Sequence, residues 1–172
     1  MYFFSIFLVI FCTSGTTHVS TLSSEDELDW WQKSVIYQIY PRSFKDSDSN
    51  GIGDLKGIEE KAEYFKDLGV GAIWLSPIFK SPMVDMGFDV SDFKSIDPVF
   101  GTMADFESLR DKLHSFGIKL ILDFVPNHSS DEHNWFIKSV QRIEPYTDYY
   151  VWQDPKAWIN ETTPVPPSNW VQ

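Results

Sequence analysis

Three short apolar runs, each joined to the next by an amphipathic stretch ending in glycine, constrain this chain more than any other feature. The runs are Val35-Ile36-Tyr37-Gln38-Ile39-Tyr40, Ala72-Ile73-Trp74-Leu75-Ser76, and Ile118 to Phe124, the last leading into Val125-Pro126-Asn127-His128. Rich in β-branched and aromatic residues, they have the length of buried strands. Between the first two, Ile58, Ala62, Phe65 and Leu68 recur at helical spacing, and Gly69 closes that helix. Between the second and third, Thr102 is a good N-cap with Asp105 three residues on; Phe106, Leu109, Leu113 and Phe116 form an apolar stripe stopped by Gly117. Strands apolar on both faces, alternating with helices, demand an α/β fold with a parallel sheet covered by helices. Right-handed crossovers leave two architectures, an open doubly wound sheet or a (β/α)8 barrel. No Gly-rich phosphate fingerprint follows any strand, which counts against a nucleotide-binding sheet.

The stretches between these units are polar. A loop rich in Asp, Ser, Asn and Gly runs from Lys45 to Asp54, and a long loop runs from Pro77 to Gly101. From Asp131 onward the periodicity fades into Trp135, Tyr146, Tyr149, Tyr150, Trp152 and Trp158 amid Pro and polar residues. This tail reads as an irregular excursion with one short helix near Trp135 to Arg142. Three βα units cannot close a barrel, which needs eight strands. The chain therefore reads as the N-terminal part of a longer protein.

Phe3 to Cys12 is an apolar run of ten residues followed by small and polar ones. As a helix it would span about 15 Å, half of the roughly 30 Å of a bilayer core. Residues 1–20 therefore read as a secretory signal peptide cleaved between positions 15 and 22, and the protein as secreted. The one cysteine, Cys12, lies inside that segment, so no disulfide is expected in the mature part. Asn160-Glu161-Thr162 and Asn127-His128-Ser129 both match the glycosylation acceptor pattern. Asn160 lies in a polar, Pro-rich stretch suited to a glycan, whereas Asn127 falls in a candidate site that a glycan would block. A net charge of −11 without a basic cluster repels phosphate backbones and excludes nucleic acid as a natural partner. It also offers no polybasic membrane anchor, so membrane association would need an anchor beyond the C-terminal end of this chain.

Three constellations carry chemistry, and each falls just past the carboxyl end of a predicted strand. Asp46-Ser47-Asp48-Ser49-Asn50-Gly51-Ile52-Gly53-Asp54 places oxygen ligands at alternate positions with Gly51 at the sixth, the opening half of an EF-hand-like loop. Asp46, Asp48, Asn50 and Asp54 would supply side chains, and Ile52 its carbonyl. A solvated acidic turn is the alternative. The hard oxygen set suits Ca2+ in a structural role, and also admits magnesium. Second, Asp85-Met86-Gly87-Phe88-Asp89 pairs a carboxylate with an aromatic, one able to accept sugar hydroxyls and the other to cover a sugar face; a turn with a core Phe would look the same. Third is Asp123-Phe124-Val125-Pro126-Asn127-His128, where His128 gains weight from its place. In a barrel the three would converge on the active-site face. Aromatic residues at 16% fit either a large core or a carbohydrate site.

Val35 to Phe44, the acidic loop, Gly71 to Pro82, Asp123 to His133, Tyr146 to Trp152 and Pro166 to Trp170 together resemble the α-glucosidase branch of glycoside hydrolase family 13, with insect-type maltases the best match. The resemblance runs from about Trp30 to the end. It implies the first three βα units of a (β/α)8 TIM barrel over residues 30–130. The start of an inserted irregular domain after strand three would occupy residues 131–172. It implies an oligosaccharide substrate and retaining hydrolysis of terminal α-linked glucose from maltose and short oligosaccharides. Asp85 and His128 would hydrogen-bond the non-reducing glucose, with Phe88 stacking in the same subsite and Asp123 and Asn127 organising it. Most relatives carry Tyr where Phe88 stands, which keeps the stacking ring and removes one hydroxyl. The metal loop maps onto Asp46, Asp48, Asn50, Ile52 and Asp54. The family's nucleophilic Asp, acid/base Glu and third Asp follow strands four, five and seven, so this chain carries no catalytic carboxylate. Non-catalytic relatives, namely transporter heavy-chain ectodomains or sugar-binding receptors, are the alternative.

Overall fold

A strand of a parallel sheet must be fed back to the same end of the sheet each time, so each βα unit needs a helix that starts and stops cleanly. In the computed structural model, which describes residues 28–168, both long returns stop in the same way. The chain divides into two units, residues 1–33 and 34–172. In the first, the described part is the short helix α1 (Trp30–Lys33), preceded by Asp29, whose N–H donates to Gln32 Oε1 at 2.8 Å. The expected signal peptide and Cys12 lie outside the described residues.

In the second unit, β1 (Ile36–Ile39) is followed by the helical turns α2 (Pro41–Phe44), α3 (Leu55–Glu59) and α4 (Ala62–Leu68), then β2 (Ala72–Leu75). A short hairpin, β3 (Phe79–Lys80) against β4 (Asp92–Ile96), leads to α5 (Met103–Ser115) and β5 (Lys119–Leu122). Then come α6 (Asn134–Val140), a 3-10 turn at Tyr146–Asp148, and an antiparallel hairpin of β6 (Ala157–Asn160) and β7 (Thr163–Val165). No helix among the described residues is long and apolar enough to cross a membrane.

Gly69 (φ 77°) and Gly117 (φ 74°) sit in the left-handed region that L-residues avoid, one residue past the end of α4 and two past the end of α5. At each end the glycine N–H returns to a carbonyl three residues back (Lys66, His114) and the next residue, Val70 or Ile118, to one five residues back (Phe65, Leu113). These are paired Schellman caps, and the buried Val70 and Ile118 seal them before the chain enters β2 and β5.

The three main strands pair in parallel in the order β1-β2-β5. Register aligns Tyr37, Ile73 and Leu120 in one row, and Ile39, Leu75 and Leu122 in another. Both rows pack with Leu55, Ile58, Ala62, Phe65, Leu109 and Leu113 of the helices in one cluster. On the opposite face, the row Gln38, Trp74 and Ile121 is exposed or half-buried. Helices on one face only are the wall of a βα barrel; a doubly wound sheet carries helices on both.

The structure adds detail that the sequence pattern did not carry. The single helix from Ile58 to Leu68 is broken at Glu60 and Lys61, where Lys61 N–H bonds Ile58 O three residues back. Leu68 is 52% exposed and not core. At 100° per residue it points about 90° from the mean direction of Ala62 and Phe65. The loop from Pro77 to Gly101 contains the β3–β4 hairpin, whose two-residue β3 and shifted register leave no alternating pattern to read. The tail is more ordered than irregular: Trp152 Nε1 donates to Ser139 Oγ (2.8 Å), which donates to Thr147 O (3.1 Å), and Phe136 packs edge-on against Tyr150.

The expected cap of α5 is a complete capping box. Thr102 Oγ1 accepts from Asp105 N (3.2 Å), and Asp105 Oδ2 accepts from Thr102 N (2.8 Å). Replacing Thr102 with Ala should cost about 1 kcal/mol in urea denaturation, and Thr102→Ser should retain most of the cap.

His133 caps α6 through Nδ1, which accepts the Trp135 N–H at 3.0 Å, and the ring is only 5% exposed beside Phe93 and Trp135. Burial pushes its pKa down, and the nearby Asp92 carboxylate only partly opposes this. The unfolded chain thus binds the proton more readily than the folded one. The stability this neutral ring supplies is complete above its ordinary pKa of about 6.5 and is lost as pH falls through the depressed folded value. Melting temperature should therefore drop between pH 7.5 and 5.5, with a shallower drop in the His133→Phe variant.

Candidate functional site

Parallel pairing brings all three strands to an end on one edge. Ser76 N bonds Ile39 O at 2.9 Å and Asp123 N bonds Leu75 O at 3.1 Å, carrying the ladder one step past each strand. The third strand stops at Leu122 and not at the expected Phe124. Asp123 Oδ1 takes the Phe124 N–H (3.1 Å), a local bond that competes with the ladder, and the Phe124 ring is 78% exposed.

Two loops leave this edge and are tied together. His128 Nε2 lies 3.2 Å from the carbonyl oxygen of Phe88, and Ser130 N donates to Val90 O at 2.9 Å. A carbonyl only accepts, so Nε2 carries the hydrogen. Nδ1 of the neutral ring is then the acceptor for Asn127 Nδ2 at 3.1 Å. Asn127 and the Phe88 carbonyl therefore fix one tautomer and one orientation of His128.

Asp85 and Phe88 are the outer residues of a tight turn closed by Phe88 N to Asp85 O at 3.0 Å. Its central residues, Met86 (φ 52°) and Gly87 (φ 103°), both have positive φ, the signature of a type I′ turn. Asp85 is exposed, and its carboxylate accepts no hydrogen bond among the described residues. The Phe88 ring is 40% exposed, so it is available for stacking and is not a core residue. The contact with the Phe88 carbonyl thus ties the loop carrying the exposed Asp85 carboxylate and the Phe88 ring to the loop carrying the oriented His128 imidazole. That set can accept sugar hydroxyls and cover an apolar sugar face; both His128 ring nitrogens are engaged, so a third group would have to replace the Phe88 carbonyl or Asn127.

The acidic loop leaves the same edge after β1 but is anchored elsewhere. Gly53 N bonds Arg42 O (2.7 Å), Asp54 N bonds Lys45 O (3.0 Å) and Leu55 N bonds Phe100 O (2.9 Å). No hydrogen bond joins it to Asp85, Phe88 or His128 among the described residues, so it supports the edge without sharing the cluster. Asp46 Oδ1 accepts the N–H groups of Asp48, Ser49 and Asn50, and Oδ2 that of Gly51. The Gly51 N–H, with those of Ser49, Asp48 and Asn50, outweighs burial and holds the Asp46 carboxyl below the ordinary range. Asp54, 8% exposed, caps α3 through Gly57 N (2.7 Å) and accepts Ser47 N (2.8 Å). Oxygens of Asp46, Asp48 and Asp54 lie within 4.8 Å of one another. Ligands 2.3–2.6 Å from one hard cation can be at most about 5 Å apart, so this spread fits a single ion. Asn50 Oδ1 faces Ile52 N at 2.8 Å, and its Nδ2 donates to Asp48 Oδ2 at 3.0 Å. Its Oδ1 keeps a second lone pair with which it could join such a shell.

Sequence reasoning passed over Ser81, Asp89 and Asp97, which hold the Asp85–Phe88 loop in shape. Asp89 ends the stretch Asp85-Met86-Gly87-Phe88-Asp89, and only its contacts with Ser81 and Val84 distinguish it. Asn160 is exposed on the β6–β7 hairpin, with Oδ1 accepting Thr162 N, Thr162 Oγ1 and Thr163 N at 2.8–3.1 Å. A groove lined by Lys56, Glu59, Glu60, Glu63 and Lys112 lies on the helix layer and not at these loops.

Comparison with known proteins places these features in context. Residues 38–172 match the family described as alpha amylase, catalytic domain. The chain is 60% identical over 147 residues to Maltase 1 of Drosophila virilis, covering 86% of this chain and 23% of that one. It is 51% identical over 167 residues to the amino acid transporter heavy chain SLC3A1 of Rattus norvegicus, covering 97% and 24%. Among solved structures, the α-glucosyl transfer enzyme XgtA superposes with a TM-score of 0.76 at 50% identity, over 84% of this chain and 26% of that one. The chain thus spans about a quarter of the length of these relatives.

Proposed function

The chain belongs to the α-amylase catalytic-domain family, and from that premise we propose that it is part of a secreted α-glucosidase of maltase type, releasing terminal α-linked glucose from maltose and short oligosaccharides. The observation that carries this reading is the contact of His128 Nε2 with the Phe88 carbonyl at 3.2 Å. It brings the Asp85–Phe88 turn and the Asn127–His128 pair into one cluster at the strand ends. In the proposed site Asp85 accepts hydroxyl hydrogen bonds from the non-reducing glucose, Phe88 covers its apolar face, and His128 binds a further hydroxyl by exchanging one of its two present partners for it. Asn127 orients His128, and Asp123 shapes the base of the subsite. Residues 30–130 form the first part of the barrel, and residues 131–172 begin an inserted domain.

On this reading hydrolysis is a retaining double displacement. Two carboxyl groups about 5–5.5 Å apart act in turn, one as nucleophile and one as acid and then base. The family resemblance puts both after later strands than the three in this chain. The part played by the residues present is to grip the glucose and help turn it towards an oxocarbenium-like geometry. The Phe3–Cys12 run supports secretion, and the exposed Asn160 is the proposed glycan acceptor.

The acidic loop is proposed to hold Ca2+ through Asp46, Asp48, Asn50, the Ile52 carbonyl and Asp54. Its contribution is structural, because Asp54 also caps α3. A second reading has a specific observation in its favour: the heavy-chain relative aligns over 97% of this chain. A protein of that kind would keep the fold without hydrolysing sugar.

For the full-length protein, maltose should yield glucose first in the α-anomeric form, read by NMR. Asp85→Ala and His128→Ala should each lower kcat/KM by about 10- to 100-fold, as expected for lost hydrogen bonds to a charged or oriented group. No glucose from the intact protein would favour the heavy-chain reading, and unchanged kinetics would remove the altered residue from the site. Calcium should raise the melting temperature by a few degrees over a chelator-treated sample, a rise that Asp46→Ala abolishes. Equal stabilisation by magnesium would overturn the preference for calcium.

A further inference from the structure

We propose that Asp89 is a positioning residue for the glucose subsite, acting on Asp85 through the loop between them; this rests on the reading of Asp85, Phe88 and His128 given above. The loop needs such a device. Met83 (φ 59°) and Met86 (φ 52°) both lie in the left-handed region without being glycine, a strained conformation that persists only where surrounding bonds hold it. Asp85 itself offers no hold, because its carboxylate accepts no hydrogen bond among the described residues. The loop backbone therefore fixes where its Cα–Cβ bond points, and with it the positions that the carboxylate can reach.

Asp89 closes the loop from the far side of the turn. Its Oδ1 accepts from Ser81 Oγ at 2.7 Å and its Oδ2 from Val84 N at 2.9 Å. The bonded Ser81 in turn accepts Met83 N at 2.9 Å, so one hydroxyl and one carboxylate control both ends of the first strained residue. Ser81 N donates to Oδ2 of the buried Asp97 at 3.0 Å, and Asp97 Oδ1 accepts Val99 N at 2.9 Å. The loop is thereby moored to the segment that enters α5. Burial alone would raise the Asp89 pKa, but the Ser81 hydroxyl and the N–H groups of Asp89, Val84 and Asp85 outweigh it and hold the carboxyl below the ordinary range. Every partner of Asp89 is a donor. An Asn here would turn an NH2 group against one of them, so the position requires a carboxylate.

The test uses the full-length protein with maltose and a double-mutant cycle of Asp89→Asn and Asp85→Asn. In the wild-type background Asp89→Asn should lower kcat/KM by about tenfold or more, and in the Asp85→Asn background by less than about twofold. Ser81→Ala, which leaves the Val84 bond in place, should show the same coupling with a smaller effect, and it decides the matter if Asp89→Asn is not secreted. Equal losses in both backgrounds, or wild-type kinetics in both loop variants, overturn the positioning role while leaving the subsite reading intact. Wild-type kinetics in Asp85→Asn alone would overturn the subsite reading, and the positioning role with it.

Discussion

Three strand ends held level by parallel pairing are the constraint on which the rest of this structure depends. Ile39, Leu75 and Leu122 share one row, and the ladder continues for one step through Ser76 and Asp123. A parallel sheet sends every outgoing loop from the same edge, so Phe88 and His128, forty positions apart, meet within hydrogen-bond distance. The level edge exists because the helices stop on time. An overrun at Gly69 or Gly117 would shift a strand by a residue and turn Ile73 or Leu120 away from the helices.

The acidic character of the chain has a structural use. Asp46, Asp54, Asp89, Asp97 and Asp105 each spend their carboxylate on backbone N–H groups that no helix or sheet satisfies. Hydrogen bonds favour the ionised form: the Gly51 N–H leads for Asp46, and the Ser81 and Thr102 hydroxyls, ahead of backbone N–H groups, for Asp89 and Asp105, so all three are held below the ordinary carboxylate range. The loops that leave the strand ends are long, and carboxylate acceptors substitute for the missing secondary structure. Asp85 departs from this pattern: it is exposed and accepts nothing among the described residues.

Features written in local sequence were legible, and features made by distant contacts were not. Thr102 with Asp105, and the two glycines that end α4 and α5, can be read because each acts within a turn of chain. The break at Glu60 and Lys61 carries neither Gly nor Pro, so the pattern of Ile58, Ala62 and Phe65 runs through it unmarked. The β3–β4 hairpin exists only through pairing across eleven intervening residues, with a register shift that erases alternation. At the candidate site, place after the strands drew notice to Asp85, Phe88 and His128, and the family resemblance supplied the roles expected of them. Asp89 could not be told from an ordinary loop acid, because its bonds to Ser81 and Val84 exist only in the fold, and Asn127 was named with His128 while its bond to the ring nitrogen was not readable.

The maltase and heavy-chain relatives resemble this chain over the same strands, so the wall of the barrel does not separate the two readings. The Asp85–Phe88 turn is more informative. A scaffold with no ligand to bind gains nothing from a left-handed Met86, an exposed carboxylate without a protein partner and a histidine held in one tautomer by two acceptor and donor contacts. Each of these would be relieved by a glycine, a shorter loop or a turned ring. Strain retained in a loop that is moored at both ends is the form taken by a site arranged before its ligand arrives, since the ordering cost is then met in folding and not in binding. On that physical ground the sugar-binding reading is the stronger of the two.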